Sequence, residues 1–104
     1  MTDPHPSTQL DATIHQKARL GILAVLAETK RSDFSSLRDL LDLTDGNLAR
    51  HLQVLEEAGL VKVAKSTEGS RPRTWVSATA AGRKALKAEV AAMRELIARL
   101  DAGS

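Results

Sequence analysis

The sequence predicts a mostly α-helical fold of the α+β class, in which a small β-hairpin lies between the third and the last of four helices. Apolar residues recur at helical spacing on both sides of residues 60–78, where the pattern becomes extended instead. The 104 residues are enough for one hydrophobic core and too few for two. Because 42% of the residues are hydrophobic and 27% are charged, the composition is that of an ordinary globular domain.

The first helix is predicted from Leu10, with Asp11 as its N-cap. Four apolar residues recur at every fourth position along it: Ile14, Ala18, Ile22 and Leu26. A break near His15 is an alternative, and the polar stretch 28–33 ends the helix. Residues 1–9, which include two prolines among polar residues, are expected to be a flexible tail.

Two further helices are predicted before the extended segment. Phe34 is expected as a single strand-like residue, and Ser35 as the N-cap of a second helix of about two turns. The apolar face of that helix consists of Leu37, Leu40 and Leu41. Thr44 offers a hydroxyl to cap the third helix, which covers residues 45–58 and ends before Gly59.

The second half of the chain predicts a hairpin and a long helix. Residues 60–65 and 74–78 are two strand-like runs, and the residues between them are rich in Gly, Ser, Pro and Arg. Thr79 is expected to cap the last helix, over residues 80–101. We therefore expect three parts: the tail 1–9, a domain over residues 10–79 and the last helix.

Residues 35–58 have the layout of a helix-turn-helix, in which a short bracing helix precedes a capped amphipathic helix. The buried stripe of the third helix is Leu48, Leu52 and Leu55, and polar residues lie opposite. In a major groove, Arg pairs with guanine and Asn or Gln with adenine. The predicted base contacts are therefore Gly46, Asn47, Arg50 and Gln53, of which Gly46 permits a close approach to DNA. An ordinary solvated face is the alternative for each residue taken alone.

Positive charge is concentrated in residues 60–90, which hold seven Lys and Arg against two Asp and Glu. Residues 1–59 hold six against nine. The basic hairpin tip, residues 65–73, is expected to lie on the DNA backbone or in the minor groove. The predicted backbone contacts are Ser36, Thr44, His51, Lys65, Arg71 and Arg73. For His51, packing against the second helix is the alternative.

The last helix carries apolar residues at spacings of four, three, four and three, which is the spacing of a coiled-coil seam. These residues are Leu86, Val90, Met93, Ile97 and Leu100. The seam predicts a partner helix, and a two-fold homodimer is the simplest arrangement that supplies one. A helix that folds back on its own domain is the alternative.

Four segments in register carry a resemblance to a known family. They are residues 14–23 in the first helix, 43–61 across the third helix, 71–74 at the hairpin tip and 78–83 at the start of the last helix. Together they resemble the short stand-alone winged helix-turn-helix regulators related to the MarR and ArsR families, over about residues 10–100. The sequence departs from the family at Ala78, where a bulky apolar residue is common, and at Ala80 and Ala81, where proline is frequent. A less tightly packed junction is expected there.

The resemblance implies a winged helix-turn-helix domain with a long C-terminal dimerisation helix. It further implies a transcriptional regulator, expected to be a repressor, that binds double-stranded DNA sequence-specifically as a homodimer. The third helix would lie in the major groove, and the hairpin would be the wing on the backbone or minor groove. The alternative is a winged-helix protein–protein adaptor, which should present apolar residues where Asn47, Arg50 and Gln53 stand.

Other function classes find little support. The absence of cysteine excludes disulfides and thiolate metal sites, and two aromatic residues are too few for stacking on single-stranded nucleic acid. The histidines His5, His15 and His51 show no catalytic or metal-binding spacing, so no enzyme, cofactor or metal is expected, although His15 with a carboxylate is the remaining metal alternative. No membrane span or signal peptide is seen, so we expect a cytoplasmic protein. A small-molecule effector would need a pocket at the dimer interface and is not indicated.

Overall fold

The computed structural model describes residues 4–67, 69 and 71–103, which form four α-helices and a three-stranded sheet. A 3-10 helix, Pro6–Gln9, precedes α1 (Lys17–Ala27), β1 (Ser32–Asp33), α2 (Phe34–Leu40), α3 (Asp45–Glu57), β2 (Val61–Ser66), β3 (Arg73–Ala78) and α4 (Ala80–Ala102). The predicted α+β class and the order of the helices and the hairpin are confirmed. Among the described residues, no helix is both long enough and apolar enough to cross a membrane.

One hydrophobic core lies between the first three helices and the sheet. It is built almost entirely from aliphatic side chains, because Phe34 is only partly buried against it. Its fully buried members include Ile14, Ile22, Leu23, Leu26, Leu37, Leu48, Leu55 and Val76. The predicted buried stripe of α3, Leu48, Leu52 and Leu55, is confirmed.

The chain before α1 differs from its prediction. The helix begins at Lys17 rather than Leu10, and the side chain of Gln16 caps it by accepting the backbone N–H of Arg19 at 2.9 Å. Asp11 is not an N-cap of α1, because its carboxylate accepts the N–H of Thr13 in a separate turn. Residues 12–14 form a turn rather than a helical segment, so no α-helical segment precedes His15 where one was predicted. Residues 6–9, predicted as part of a flexible tail, instead form the 3-10 helix, which packs against α4 and buries Pro6.

The start of α2 also differs. Asp33, not Ser35, is the N-cap, and its carboxylate accepts the N–H of Ser36 at 2.8 Å. That hydrogen bond lowers the pKa of Asp33, and burial opposes the effect. Only Leu37 of the predicted apolar face is fully buried, whereas Leu40 is 67% exposed. A seven-residue helix has room for one deeply buried position, so the stripe is narrower than its sequence suggests.

The sheet has one strand more than the predicted hairpin. Strands β2 and β3 pair antiparallel from Val61 opposite Ala78 to Ser66 opposite Arg73. Strand β1 adds to the other edge of β3, so the strand order is β1-β3-β2. Two residues carry no periodic signal, which explains why only a single strand-like residue was expected near Phe34.

The junction between the hairpin and α4 is tightly packed, contrary to the expectation from Ala78, Ala80 and Ala81. Gly82 is buried, and a Cβ built on it would lie 2.0 Å from the carbonyl oxygen of Leu60. Thr79 joins both sides, since its hydroxyl donates to the carbonyl of Gly59 at 2.7 Å and its backbone N–H donates to that of Leu60 at 3.0 Å. A glycine, rather than a bulky side chain, closes this junction.

Candidate nucleic-acid interface

Helix α3 presents a polar face to solvent, opposite the side that packs on the core. Thr44 caps the helix as predicted, since its hydroxyl accepts the N–H of Asn47 at 3.1 Å. The helix ends at Glu57, and Gly59 follows with φ of +76°, a left-handed conformation that favours glycine. Both predicted ends are confirmed to within one residue. The cap at Thr44 and the glycine at position 59 therefore fix where α3 begins and ends.

The four predicted base-contact residues are brought together on this face. Gly46, Asn47, Arg50 and Gln53 are all exposed. The amide of Gln53 donates to the carboxylate of Glu57 at 3.3 Å, while a Cβ built on Gly46 would meet nothing within 4 Å beyond its chain neighbours and its own helical backbone. The surface is thus polar, open and without a bulky side chain in its first turn. Such a surface can donate to and accept from base edges.

A side chain from α2 holds the turn of the helix-turn-helix. Arg38 contacts Asp39 through Nε at 2.9 Å and Asp45, in the first turn of α3, through Nη1 at 2.8 Å. These hydrogen bonds raise the pKa of Arg38, so it is charged at every physiological pH. The turn itself contains Asp42 at φ of +54°, in the left-handed region that few non-glycine residues adopt. Sequence reasoning did not identify Arg38, although an Arg seven residues before Asp45 spans such a turn.

His51 lies between the polar face of α3 and α1. It is half-buried and lines a cleft with residues from the start of α1 and from the α2–α3 turn, among them Gln16, Lys17 and Asp42. Burial lowers the pKa of His51, and the positive charges of Arg19 and Arg50 lower it further. Both effects favour the uncharged form of the ring. His51 thus lies beside α1 and the α2–α3 turn, and its assignment as a backbone contact stays a prediction.

The other predicted backbone contacts surround α3. Ser36 is exposed in the first turn of α2. Lys65 is exposed beside a cleft that α3 and the sheet share. Arg71 and Arg73 are exposed at the wing and line a second cleft with Asp33, Phe34 and Ser35 at the start of α2. The wing and the start of α2 therefore approach each other.

Sequence reasoning also missed a ring contact at the base of the wing. The guanidinium of Arg31 lies 3.8 Å from the centroid of the Trp75 ring, and that of Arg73 lies 5.8 Å from it. Arg31 comes just before β1, and Trp75 lies in β3. Because β1 was not predicted as a strand, nothing in the sequence placed Arg31 beside Trp75.

The predicted seam on α4 lies beside a second stripe that packs on the domain itself. The intramolecular stripe contains Gly82, Glu89 and Ala92, all buried. The predicted seam residues Leu86, Val90 and Met93 are half-buried, and Leu86 packs against the core. Further along, Ile97 is 55% exposed and Leu100 is 67% exposed. The start of the seam is partly used within the chain, and its end is open.

Glu89 is the least expected member of the intramolecular stripe, because it is a carboxylate that is only 1% exposed. It accepts the backbone N–H of Asp11 at 2.8 Å, and its other oxygen lies 2.7 Å from Nδ1 of His15. These contacts fasten the segment before α1 to α4. Among the described residues no group of three His, Asp and Glu side chains is arranged to hold a metal ion.

Comparisons with known proteins agree with this geometry. The family model described as a winged helix DNA-binding domain matches residues 18–97. An uncharacterized protein of Methanocaldococcus jannaschii is 44% identical over 69 residues, which is 66% of this chain and 75% of that protein. A transcriptional regulator homologue from Pyrococcus horikoshii has a similar structure, with a TM-score of 0.82 and 38% identity over 86% of this chain and 88% of that one.

A third similar structure is that of the transcriptional regulator MosR of Mycobacterium tuberculosis in complex with DNA. Its TM-score is 0.70, with 25% identity over 95% of this chain and 71% of that one. The resemblance to short winged-helix regulators is confirmed by these matches. The family model covers α1 to α4, including the helix-turn-helix, the wing and most of the last helix. The chain therefore belongs to the family of winged helix DNA-binding domains.

Proposed function

We propose that this chain is a transcriptional regulator that recognises a specific sequence in double-stranded DNA, has no catalytic activity of its own, and acts as a homodimeric repressor. The observation that supports this proposal most strongly is the exposed cluster of Asn47, Arg50 and Gln53 on a capped helix, opposite an apolar stripe. An adaptor that binds proteins would be expected to show apolar side chains at those positions. The polar face favours base edges as the partner.

The proposed binding mode assigns one task to each part. Helix α3 lies in the major groove, with Arg50 as the principal base contact and Asn47 and Gln53 beside it. The wing, through Arg71 and Arg73, lies on the backbone or in the flanking minor groove. Ser36, Thr44, Lys65 and His51 add backbone contacts around the helix.

The proposed dimer uses the open end of the α4 seam. Ile97 and Leu100 are large apolar residues that the single chain leaves exposed. A second copy would cover them and place two α3 helices on successive major grooves, as palindromic operators require. As a repressor, such a dimer would act by occupying its operator.

Selection of bound duplexes from random DNA at two salt concentrations tests the proposal. We expect one enriched motif at both concentrations, because base contacts survive the loss of counterion-driven affinity. A flat selection with a steep salt dependence would contradict sequence-specific binding. An adaptor would give no enrichment at either concentration.

Two arginine variants then distinguish base contacts from backbone contacts on the selected duplex. Arg50→Ala should cost about 1–3 kcal/mol of specific binding and relax the preference at one base pair, whereas Arg71→Ala should weaken all sequences alike. Arg94→Ala, an exposed arginine on α4, is the control for loss of one positive charge. If Arg50→Ala and Arg94→Ala bound the selected duplex equally well, the assignment of α3 as the reading helix would be wrong.

A further inference from the structure

The face of the sheet that carries Trp75 lies opposite the face that packs on the core. Residues of β2 and β3 that are opposite one another share a face, so Lys62, Ala64 and Ser66 lie on the same side as Ser77, Trp75 and Arg73. The other side carries Val61 and Val76, which are buried in the core. The face with Trp75 therefore points away from α3. We refer to Arg31, Lys62, Arg73 and Trp75 together as the outer cationic face.

Stacking prepares Arg31 for a ligand. Its guanidinium lies 3.8 Å from the centre of the Trp75 ring, a distance at which the planar group rests on the ring face. The ring constrains the side chain while the N–H donors at the edge of the guanidinium stay available. A planar fork held in this way loses less conformational entropy when it binds a phosphate. The contact therefore both shields the half-buried indole of Trp75 and orients the guanidinium of Arg31.

Cations outnumber carboxylates on this face within the described residues. Arg31 and Lys62 form no ion pair there, and both are exposed. Asp33, the register partner of Trp75, is the carboxylate nearest to Arg73, and Arg73 helps to lower its pKa while Asp33 caps α2. From Arg73 to the level of Lys62 the strands extend about 13 Å, at about 3.3 Å per residue. Three cations against one carboxylate over that length suit a polyanion.

The outer cationic face continues the wing. Arg73 belongs to both, because the wing ends where β3 begins. A duplex held by α3 and the wing would, if it extends past the wing, run on beside Arg31. We propose that the outer cationic face binds the phosphate backbone of the DNA that flanks each half-site, with Arg31 as the main contact. This inference rests on the proposed function and extends its footprint beyond the helix-turn-helix and the wing tip.

The test compares two duplexes that contain the same selected site. The short duplex ends at the base pairs beneath the wing, and the long one carries one additional helical turn of unrelated sequence at each end. Fluorescence anisotropy measures the affinity of the full chain and of Arg31→Ala and Arg31→Lys. Lys30→Ala removes the same charge from the adjacent exposed residue, for which no ring contact is seen, and is the matched control. Melting temperatures show that each variant is folded.

We expect Arg31→Ala to weaken binding to the long duplex and to leave binding to the short one unchanged. One lost phosphate contact should make the affinity for the long duplex fall about 3.5-fold less between 50 and 200 mM salt. Arg31→Lys should keep the salt dependence but lose part of the affinity, since an ammonium lacks the planar fork. Lys30→Ala should match the parent on both duplexes.

Equal losses on both duplexes, or no loss on the long one, would overturn the inference. An equal effect of Lys30→Ala and Arg31→Ala on the long duplex would also overturn it, because the stacked geometry would then not matter. The two proposals fail differently. If the parent protein binds neither duplex better than a scrambled one, the proposed function is wrong. If the parent binds the selected site specifically and Arg31→Ala binds the long duplex equally well, only the role of the outer cationic face is contradicted.

Discussion

Gly46 occupies the first turn of α3, where the proposed function predicts that its missing side chain has opposite effects on stability and on DNA binding. A Cβ at this position meets no heavy atom within 4 Å, so the folded chain gains nothing from a glycine there. Glycine is less favourable than alanine in a helix by about 1 kcal/mol, and less than that in a first turn. The residue is therefore better explained by close approach to a partner than by packing.

Gly46→Ala should accordingly raise the melting temperature while it weakens binding to the selected duplex. We expect a gain of about 0.5–1 kcal/mol in the free energy of unfolding, because alanine has the higher helix propensity. Chemical denaturation and anisotropy on one preparation measure both effects. Unchanged affinity would mean that the first turn of α3 does not lie in close contact with the bases.

His51 makes stability depend on pH. Burial and two nearby arginines lower its pKa in the folded protein, so the unfolded chain takes up a proton first as the pH falls. Its contribution to stability is therefore full above about 6.5, the pKa of an unperturbed histidine, and is lost as the pH falls through that value. We expect the parent to lose more stability than His51→Gln between pH 7.5 and 5.5. Denaturant titrations at both pH values measure the difference, and parallel losses would assign the pH dependence to other groups.

At the scale of elements, the junction between the hairpin and α4 depends on Gly82. Its hydrogen faces the carbonyl of Leu60, where a Cβ would come within 2.0 Å of the oxygen. Since the opposing atom belongs to the backbone, α4 would have to move away from the sheet. The start of α4 and the end of α3 are thus held at one fixed separation.

Gly82→Ala should destabilise the protein by about 1–3 kcal/mol, the usual cost of overpacking, despite the better helix propensity of alanine. Thermal unfolding measures this loss. Ala81→Ser, at the neighbouring exposed position, is the control and should have little effect. A Gly82→Ala variant as stable as the parent would show that α4 can move away from Leu60 at little cost in free energy.

Helix α4 is also tied to the chain before α1 through Glu89. Glu89→Ala should cost about 1–3 kcal/mol, because it leaves the N–H of Asp11 without its buried acceptor. Glu95→Ala, an exposed carboxylate on the same helix, removes the same charge and should be nearly neutral. Hydrogen exchange should show faster exchange of the Asp11 amide in the first variant only. Equal stabilities of the two variants would contradict a fastening role for Glu89.

On the scale of the whole molecule, the shape is set by α4. The principal extents are 59, 24 and 22 Å, and a helix of 23 residues accounts for about 34 Å of length. Beyond Met93 the helix extends past most of its own core, so Ile97 and Leu100 are left open. An elongated molecule with apolar residues at one end is suited to pairing through that end.

The double variant Ile97→Glu with Leu100→Glu should therefore sediment as a monomer. We expect the parent to sediment at twice 11.2 kDa, because a partner helix would bury both side chains. Ala98→Glu adds a negative charge on an exposed position off the seam and should leave the dimer intact. A parent that sediments at 11.2 kDa at micromolar concentration would rule out this interface.

Local chemistry made much of this fold readable from the sequence. Thr44, Thr79 and Gly59 mark helix ends through hydrogen bonds and backbone angles that involve only nearby residues, and all three lie where they were expected. The hairpin strands and the buried stripe of α3 also follow from short-range periodicity. The polar face of α3 could be predicted for the same reason, because the residues opposite the buried stripe of a helix face solvent.

Contacts between distant residues decided the rest. The strand β1 and the stacking of Arg31 on Trp75 exist because β3 lies alongside, more than 40 residues later in the chain. Glu89 is buried only because the segment around Asp11 and His15 folds over it, and a lone carboxylate in a helix gives no sign of this. The sequence by itself determined the order of the helices, the bounds of α3, the hairpin and the polar face of α3, because their signals are local. Only the tertiary structure decided which side of α4 serves its own domain and which cations share the outer face of the sheet, because both depend on which distant residues meet.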